Sequence, residues 1–311
     1  MERSPEISVV IPTFNEEKDI AQTLESLSNQ SLPKDSYEII VVDNGSTDET
    51  TNLVRSFTDD LFIVPDINVG AVRNYGAKMA HSKLILFLDA DCIIPRDHLE
   101  TCLERREKVF SGVIFGGSLN SRKDPGWVEK YWLLEGPCAQ NRQRELTGAC
   151  ILVDKGVLLS LGGFPEDVTS GEDTLFSQRA KSAGHKITIS TDLAVTHLGN
   201  PKTVREFFKR QSWHAKSYKG LWPAPLKDKV FMLVMIYSAA IISAIVGAIV
   251  FPLSPYPLMA TQIPPSLLAT KRIVRSGYRL KIRDIIPILT LDNMYLLARA
   301  YGFFSSIIQR N

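Results

Sequence analysis

The chain has 311 residues, 44% of them hydrophobic, and its 36 basic and 34 acidic residues nearly cancel to a net charge of +2. That length suits one large domain with an appendage, or two domains, and so even a balance supplies no strong field to draw in nucleic acid. Four cysteines, Cys92, Cys102, Cys138 and Cys150, are too sparse for a disulfide framework and form no CxxC zinc pattern, so reduced thiols fit them best.

The N-terminus, MERSPEISVVIP, carries only a short apolar run between Glu6 and Pro12, and it reads as a first strand rather than a signal peptide. Ile7 to Ile11 is that strand. Thr13 or Asn15 is placed to cap the helix after it, whose Ile20, Leu24 and Leu27 recur at helical spacing. A second apolar run, Tyr37 to Val42, ends in Asp43-Asn44-Gly45-Ser46-Thr47-Asp48, and Leu53, Val54 and Phe57 mark the next helix. Leu61 to Val64 is a third, short strand. Asn68-Val69-Gly70 then opens a helix bearing Arg73, Asn74 and Lys78.

That helix leads into KLILFLDADCIIP, Lys83 to Pro95. Five consecutive apolar residues, Leu84 to Leu88, suit a strand buried on both faces inside a parallel sheet. Asp89-Ala90-Asp91 follows at once, so two carboxylates stand where ligands collect in open α/β sheets, beyond the carboxyl end of a strand. No basic residue follows until Arg96, which makes a cation their expected partner. Carboxylates with water and substrate phosphates are the usual ligands of Mg2+, and Mn2+ accepts them too. Capping the next helix is the plainer alternative. Strands alternating with helices at this spacing mean βαβ units with right-handed crossovers. All four strands end in polar residues at one edge: Thr13 and Asn15, Asp43 and Ser46, Asp66 and Asn68, Asp89 and Asp91. No GxGxxG or GxxxxGK[ST] stands at these turns, which weighs against dinucleotide cofactors and P-loop chemistry.

Further on, Val113 to Leu119 and Ala149 to Val153 read as strands and Pro125 to Leu134 as an aromatic-bearing helix. Gly162-Gly163-Phe164 and the acidic turn Ser170-Gly171-Glu172-Asp173 precede a helix with Leu175, Phe176 and Ala180 on its apolar face. By itself an acid at that helix start needs no more explanation than the helix dipole. A lone His197 after Ala194-Val195-Thr196 is by itself a structural histidine. Lys202 to Tyr218 reads as a helix with Phe207, Phe208 and Trp213 among basic residues, a pattern suited to an anionic membrane surface.

The segments VVIPTFNEE, EIIVVDNGSTDET, NVGAVRNYGA, ILFLDADCIIP, LTGACILV, LGGFPEDVTSGEDTLF and RQSWHAKSY occur in this order from Val9 to about Gly220. Together they resemble the family 2 glycosyltransferases, enzymes of the GT-A fold. The resemblance implies an α/β architecture, Rossmann-like, with a mostly parallel sheet flanked by helices. It implies that Pro12, Thr13 and Glu16 border the donor nucleotide and that Asp43 contacts its base. Asn68, Gly70, Arg73 and Asn74 would shape the pocket around ribose and phosphate, with Asp89 beside the donor. Asp89 and Asp91 would form the DxD metal motif for Mg2+ or Mn2+, completed by His197. The Glu172-Asp173 pair matches the segment that supplies the catalytic base, with Asp173 the first choice and Glu172 the second. Pro165 departs from the family, which often has Asp there. Arg210, Gln211 and Trp213 resemble the QxxRW segment of membrane polysaccharide synthases and would lie on the acceptor and phosphate side. Their order and spacing differ, so processive synthesis does not follow.

Val230 to Thr270 is a run of 41 residues without a charge. Val230 to Phe251 is long enough to cross a bilayer, for which ~20 apolar residues suffice; a buried soluble helix is the alternative. Pro252 to Thr270, broken by Pro255, Pro257, Pro264 and Pro265, would return as a poorly formed second span or a re-entrant segment. Basic residues on both flanks put both ends in the cytoplasm, hence a hairpin. Asp284 to Asn311 reads as interfacial or packed on the domain. The expected organisation is a catalytic domain over residues 1–225 and a membrane-anchoring hairpin with an interfacial tail over 226–311.

The expected activity is metal-dependent, inverting transfer of a sugar from a UDP- or GDP-sugar to a hydroxyl of a lipid-linked or glycan acceptor. It would take place at the cytoplasmic face of the cell membrane, with no nucleic-acid partner. A polyprenyl-phosphate sugar synthase and a non-catalytic nucleotide-sugar-binding scaffold are the two rivals.

Overall fold

The structure is a computed structural model that describes residues 4–135, 145–220, 226, 228–250 and 255–308. Backbone packing divides the chain into two units, Met1–Arg122 with Gln143–Gly199, and Lys123–Arg142 with Asn200–Asn311.

The first unit is built on an eight-stranded sheet. Its strands are β1 (Ile7–Thr13), β2 (Tyr37–Asp43), β3 (Leu61–Ile63), β4 (Leu84–Leu88), β5 (Cys92–Ile93), β6 (Ile114–Asn120), β7 (Cys150–Asp154) and β8 (Ile187–His197). They lie in the order β3-β2-β1-β4-β7-β6-β8-β5. From β3 to β4 every pairing is parallel, as the alternation of strands and helices requires. Past β4 the sheet is mixed: β7 runs antiparallel to both β4 and β6, β6 and β8 are parallel, and β5 is antiparallel to β8. All seven residues of β1 and all five of β4 are buried. Alternate side chains enter opposite cores: Leu84, Leu86 and Leu88 join Val9 and Leu24 on one face, while Ile85 and Phe87 join Val10, Phe164 and Phe176 on the other. Cys92, Cys102 and Cys150 are buried and free; Cys138 lies outside the described residues.

Helices α1 (Ile20–Ser28), α2 (Thr50–Arg55), α3 (Val69–Met79), α4 (His98–Glu104) and α5 (Arg106–Phe110) flank the sheet in the first part of this unit. Neither Thr13 nor Asn15 caps α1, which starts later, after Asp19. Asn15 is held instead at a φ of 54°. Its N–H donates to Ser46 Oγ (2.8 Å) and its Oδ1 accepts from Thr47 N–H (2.9 Å), while Glu16 N–H donates to Thr50 Oγ1 (2.7 Å). The turns after β1 and β2 are thereby stapled into one rim.

The second unit is helical: α6 (Trp127–Leu133), α9 (Val204–Gly220), α10 (Lys229–Val250), α11 (Tyr256–Ala260), α12 (Ile263–Ser276) and α13 (Ile285–Ile308). The intervening α7 (Lys155–Ser160) and α8 (Glu172–Ser182) belong to the first unit. Val128, Phe207, Val234, Tyr237, Leu291 and Leu296 form the helical core, where the Trp132 ring lies 4.7 Å from Phe207 and 5.0 Å from Tyr295. α9 crosses α13 so closely that a Cβ at Gly302 would stand 2.1 Å from the Ser212 carbonyl oxygen. Packing therefore sets the boundary after Gly199 and assigns α6 and α9 to the helices, because Phe207, Ala215 and Tyr218 find their apolar partners there.

Among the described residues, α10 is the one helix long and apolar enough to cross a membrane. Phe231, Val234 and Tyr237 in its first half are buried, whereas Ile242, Ile245, Val246, Ile249 and Val250 are exposed. The second part of the uncharged run forms the five-residue α11 and the beginning of the 14-residue α12, which continues through Lys271, Arg272 and Arg275; each helix has proline at a first-turn position. Fourteen residues rise ~21 Å, short of the ~30 Å hydrocarbon core.

Candidate active site

The rim at the carboxyl ends of β1, β2 and β4 is where the sheet's two halves become chemically joined. β7 is antiparallel to β4, so its beginning lies beside the end of β4: Leu88 faces Cys150, and Asp89 N–H approaches the Ala149 carbonyl (3.4 Å). Thr147, Gly148 and Ala149 are delivered to the carboxylate pair in this way. β5 does the same for the other end, because Cys92 is in register with His197.

Asp91 meets His197 across that register, with Oδ2 3.4 Å from Nε2. The Leu198 N–H donates to the Asp91 carbonyl (2.8 Å) and fixes the two segments together. Ligand atoms of Asp91, Cys92 and His197 all fall within 4.8 Å of one another. A Cβ at Gly199 would stand 1.8 Å from Asp91 Oδ2, so only glycine leaves that carboxylate its place. The carboxylate oxygens are donors of the kind that suit Mg2+ or Mn2+, and the His197 imidazole offers a nitrogen beside them.

Arg73, on α3 and 3% exposed, ties this corner to α8. Its guanidinium donates to Asp89 Oδ1 (2.7 Å) and to the Glu172 carboxylate, and lies 5.6 Å from the centre of the Phe164 ring. Burial works against its charge, but Asp89, Glu172 and Asp173 outweigh that and push its pKa upward. Space for the guanidinium comes from Gly148, where a Cβ would be 2.0 Å from Nη2. The same Gly148 donates its N–H to Asp173 Oδ2 (3.0 Å), and Thr174 N–H donates to Oδ1 (2.6 Å). Gly171, at a φ of 84°, turns the chain into α8 so that Glu172 and Asp173 open the helix. Glu172 is buried, which raises its pKa against the pull of Arg73, with Asp173 adding to the rise. Asp173 is half-buried.

The other expected donor residues divide by what they touch. Asp43 is fully buried, and its carboxylate accepts from Gly45 N–H (3.0 Å), Ser46 N–H (2.8 Å) and Ser46 Oγ (2.5 Å). Thr13 is 4% exposed, and its Oγ1 has no hydrogen-bond partner among the described residues, an orphan at the rim that a ligand would satisfy. Pro12 is buried beside it and Glu16 is half-buried in the following turn. Asn74 grips the loop before α8: its Oδ1 accepts from Phe164 N–H (2.8 Å), and its Nδ2 donates to the Phe164 carbonyl (2.9 Å) and to Glu166 (2.8 Å). Asn68 donates to the Glu166 carbonyl (2.8 Å), and a Cβ at Gly70 would be 2.0 Å from the Pro165 carbonyl oxygen. These three residues hold Gly163–Glu166 against α3, a bracing task that sequence reasoning had not assigned to them. Arg210, Gln211 and Trp213 stand on α9 in the second unit, Gln211 buried and Trp213 44% exposed.

Gly148 and Gly199 went unmarked in the sequence. Their value lies in atoms they lack beside partners far away in the chain, and only the place of Gly148 within LTGACILV and that of Gly199 two residues after His197 hinted at it.

The pattern that defines Glycosyl transferase family 2 matches residues 8–161. Glycosyltransferase AglE of Haloferax volcanii is 30% identical over 235 residues, 70% of this chain and 74% of that protein. TarS of Staphylococcus aureus, a poly(ribitol-phosphate) beta-N-acetylglucosaminyltransferase, is 29% identical over 201 residues; the match covers 60% of this chain but 34% of the longer relative. A dolichyl N-acetyl-alpha-D-glucosaminyl phosphate 3-beta-D-2,3-diacetamido-2,3-dideoxy-beta-D-glucuronosyltransferase of Methanococcus voltae is 23% identical and aligns over 98% of both chains. Among solved structures, a mannosyltransferase from Pyrobaculum calidifontis in complex with GDP-Man and Mn2+ has a TM-score of 0.57 at 20% identity. It covers 97% of this chain and 88% of that one, a likeness of fold.

Proposed function

The chain belongs to glycosyl transferase family 2, and from that premise we propose that it moves a sugar from a nucleoside-diphosphate donor to a hydroxyl of a lipid-linked or glycan acceptor at a membrane, with inversion. The observation that carries this reading is the Arg73 bridge, which holds Asp89 on one side and the Glu172–Asp173 pair on the other. Donor-side and acceptor-side carboxylates are thus parts of one hydrogen-bonded assembly.

Asp91 and His197, with Asp89, would hold a divalent cation, Mg2+ or Mn2+. When bound, it supplies Lewis-acid neutralisation of the leaving diphosphate. Asp173 accepts the proton of the acceptor hydroxyl as that oxygen attacks the anomeric carbon. The bond to the diphosphate oxygen breaks in the same displacement, so the configuration inverts, through a transition state of oxocarbenium character. Asp173 suits this task better than Glu172 because it is the more exposed of the two, while Glu172 would have to leave Arg73. The backbone N–H groups of Gly148 and Thr174 keep Asp173 oriented. Arg73 holds Asp89 and α8 in fixed relation without entering the proton transfer.

The donor is a UDP- or GDP-sugar, and the GDP-Man held by the Pyrobaculum neighbour is consistent with the latter. The relatives' names speak for acceptors that are glycan-like polymers or dolichyl-linked phosphates. The apolar, half-exposed α10 speaks for membrane attachment, and the basic residues on both sides of the uncharged run for its cytoplasmic face. A polyprenyl-phosphate sugar synthase would attack with a phosphate that needs little base; the oriented Asp173 favours a hydroxyl. Calorimetric titration with UDP- and GDP-sugars, with and without Mn2+, tests the donor site. Asp91→Ala should lose the Mn2+-dependent part of the affinity while unfolding like the parent. Unchanged Mn2+-dependent affinity would remove Asp91 from the metal site.

A further inference from the structure

The second unit contains a cavity of about 310 Å³ with two kinds of lining residue. Trp132, Leu268 and Tyr295 give it an apolar lining, and Lys271, Arg272 and Arg275 add cations to that lining. Arg272 is part of the construction: its guanidinium lies 4.2 Å over the Trp132 ring, pairs with the buried Asp292, and donates to the carbonyls of Tyr131 (2.7 Å) and Trp132 (2.5 Å). Lys271 and Arg275 are exposed and stand four residues apart on α12, so they share one helix face. No carboxylate lines the cavity with them among the described residues.

A hollow with an apolar lining and two exposed cations selects an amphiphilic anion over a simple one. The same helix says where such a ligand comes from. Ile263, Leu267 and Val274 on α12 are exposed, and Ile282, shortly after it, is 90% exposed. A helix that combines exposed large apolar residues with cations suits a bilayer interface.

We propose that this cavity binds the phosphate of a membrane lipid of the polyprenyl-phosphate class. Lys271 and Arg275 donate to the phosphate oxygens, and the first carbons of the chain run along Trp132 and Leu268. The identity of the lipid rests on the reading of a lipid-linked acceptor given above; the cavity's preference for an anion with an apolar chain does not.

Vesicle binding by the full chain provides the test. Phosphatidylcholine vesicles are compared with ones that also contain polyprenyl monophosphate, or phosphatidylglycerol at matched charge, with inorganic phosphate as soluble competitor. The parent should bind the polyprenyl-phosphate vesicles best. The double variant Lys271→Gln with Arg275→Gln should lose ~10-fold or more of that affinity, the scale of one charge-assisted hydrogen bond or more. Lys271→Arg with Arg275→Lys should keep most of it, and Arg279→Gln, outside the cavity, should lose far less than the double variant. Equal losses for Arg279→Gln and the double variant, or equal binding to phosphatidylglycerol with full competition by phosphate, would overturn the assignment. Lipid binding that depends on Lys271 and Arg275, without sugar transfer to any polyprenyl-linked acceptor, would defeat the acceptor reading and leave the cavity standing. Transfer to such an acceptor with undiminished lipid binding by the double variant would do the reverse.

Discussion

Glu172 and Asp173 differ by one position and face different physics. Glu172 is buried against Arg73, and burial raises its pKa despite that cation. A carboxyl whose folded pKa exceeds its unfolded one, about 4.3 for glutamate, gives its full stability contribution below the unfolded value and loses it as pH rises through the folded one. Glu172→Gln is uncharged throughout and should remove this loss. The measurement is the unfolding midpoint of parent and variant from about pH 4 to pH 7: the parent should decline relative to the variant as pH rises, and parallel curves would contradict the burial argument. Gly199 carries a second prediction at the same scale. Its missing Cβ is what lets Asp91 stand where it does, so Gly199→Ala should weaken metal-dependent donor binding ~10–100-fold, the usual range for disturbing a group that orients a ligand. Titration with Mn2+ and the nucleotide sugar reads it directly, and undisturbed affinity would show that the carboxylate has room to move.

Among the elements, α10 has the plainest division of labour. One face of its first half, Phe231, Val234 and Tyr237, is buried in the helical core, and its second half exposes Ile242, Ile245, Val246 and Ile249. Replacing Val246 and Ile249 with glutamate should release the protein from membranes, since each acidic residue costs roughly 2.5–3.5 kcal/mol in a bilayer interior, while Phe231, Val234 and Tyr237 keep the core intact. Sedimentation with membranes distinguishes the cases, and full retention of the double variant would mean that α10 is not the anchor. The parallel half of the sheet was legible because Leu84 to Leu88 and its companions are apolar on both faces and polar at one end. The direction of β7 was not, because Cys150 to Val153 is an apolar run that reads the same either way. That reversal puts Gly148 at the site. The Arg73–Glu172 pair spans 99 positions, and nothing local in either segment announces the other. α9 looked like the end of the catalytic domain from motif order, yet its apolar residues pack among helices.

At the scale of the whole molecule, a net charge of +2 hides an uneven distribution. Lys271, Arg272, Arg275, Arg279, Lys281 and Arg283 follow the uncharged run without an acid until Asp284, a concentration suited to an anionic bilayer surface. The sheet unit carries the carboxylates of the proposed chemistry and the helical unit carries the apolar surface and these cations. Sugar transfer by Asp173 is the claim on which the rest depends. The direct measurement is the initial rate of labelled sugar transfer from a UDP- or GDP-sugar to a lipid-linked acceptor, with Mn2+, by the parent, Asp173→Asn and Glu172→Gln. Asp173→Asn should be ~10²–10⁴-fold slower, as expected for loss of a general base, with donor affinity kept and Glu172→Gln less impaired. Transfer by Asp173→Asn near the parental rate, with Glu172→Gln inactive, would contradict it.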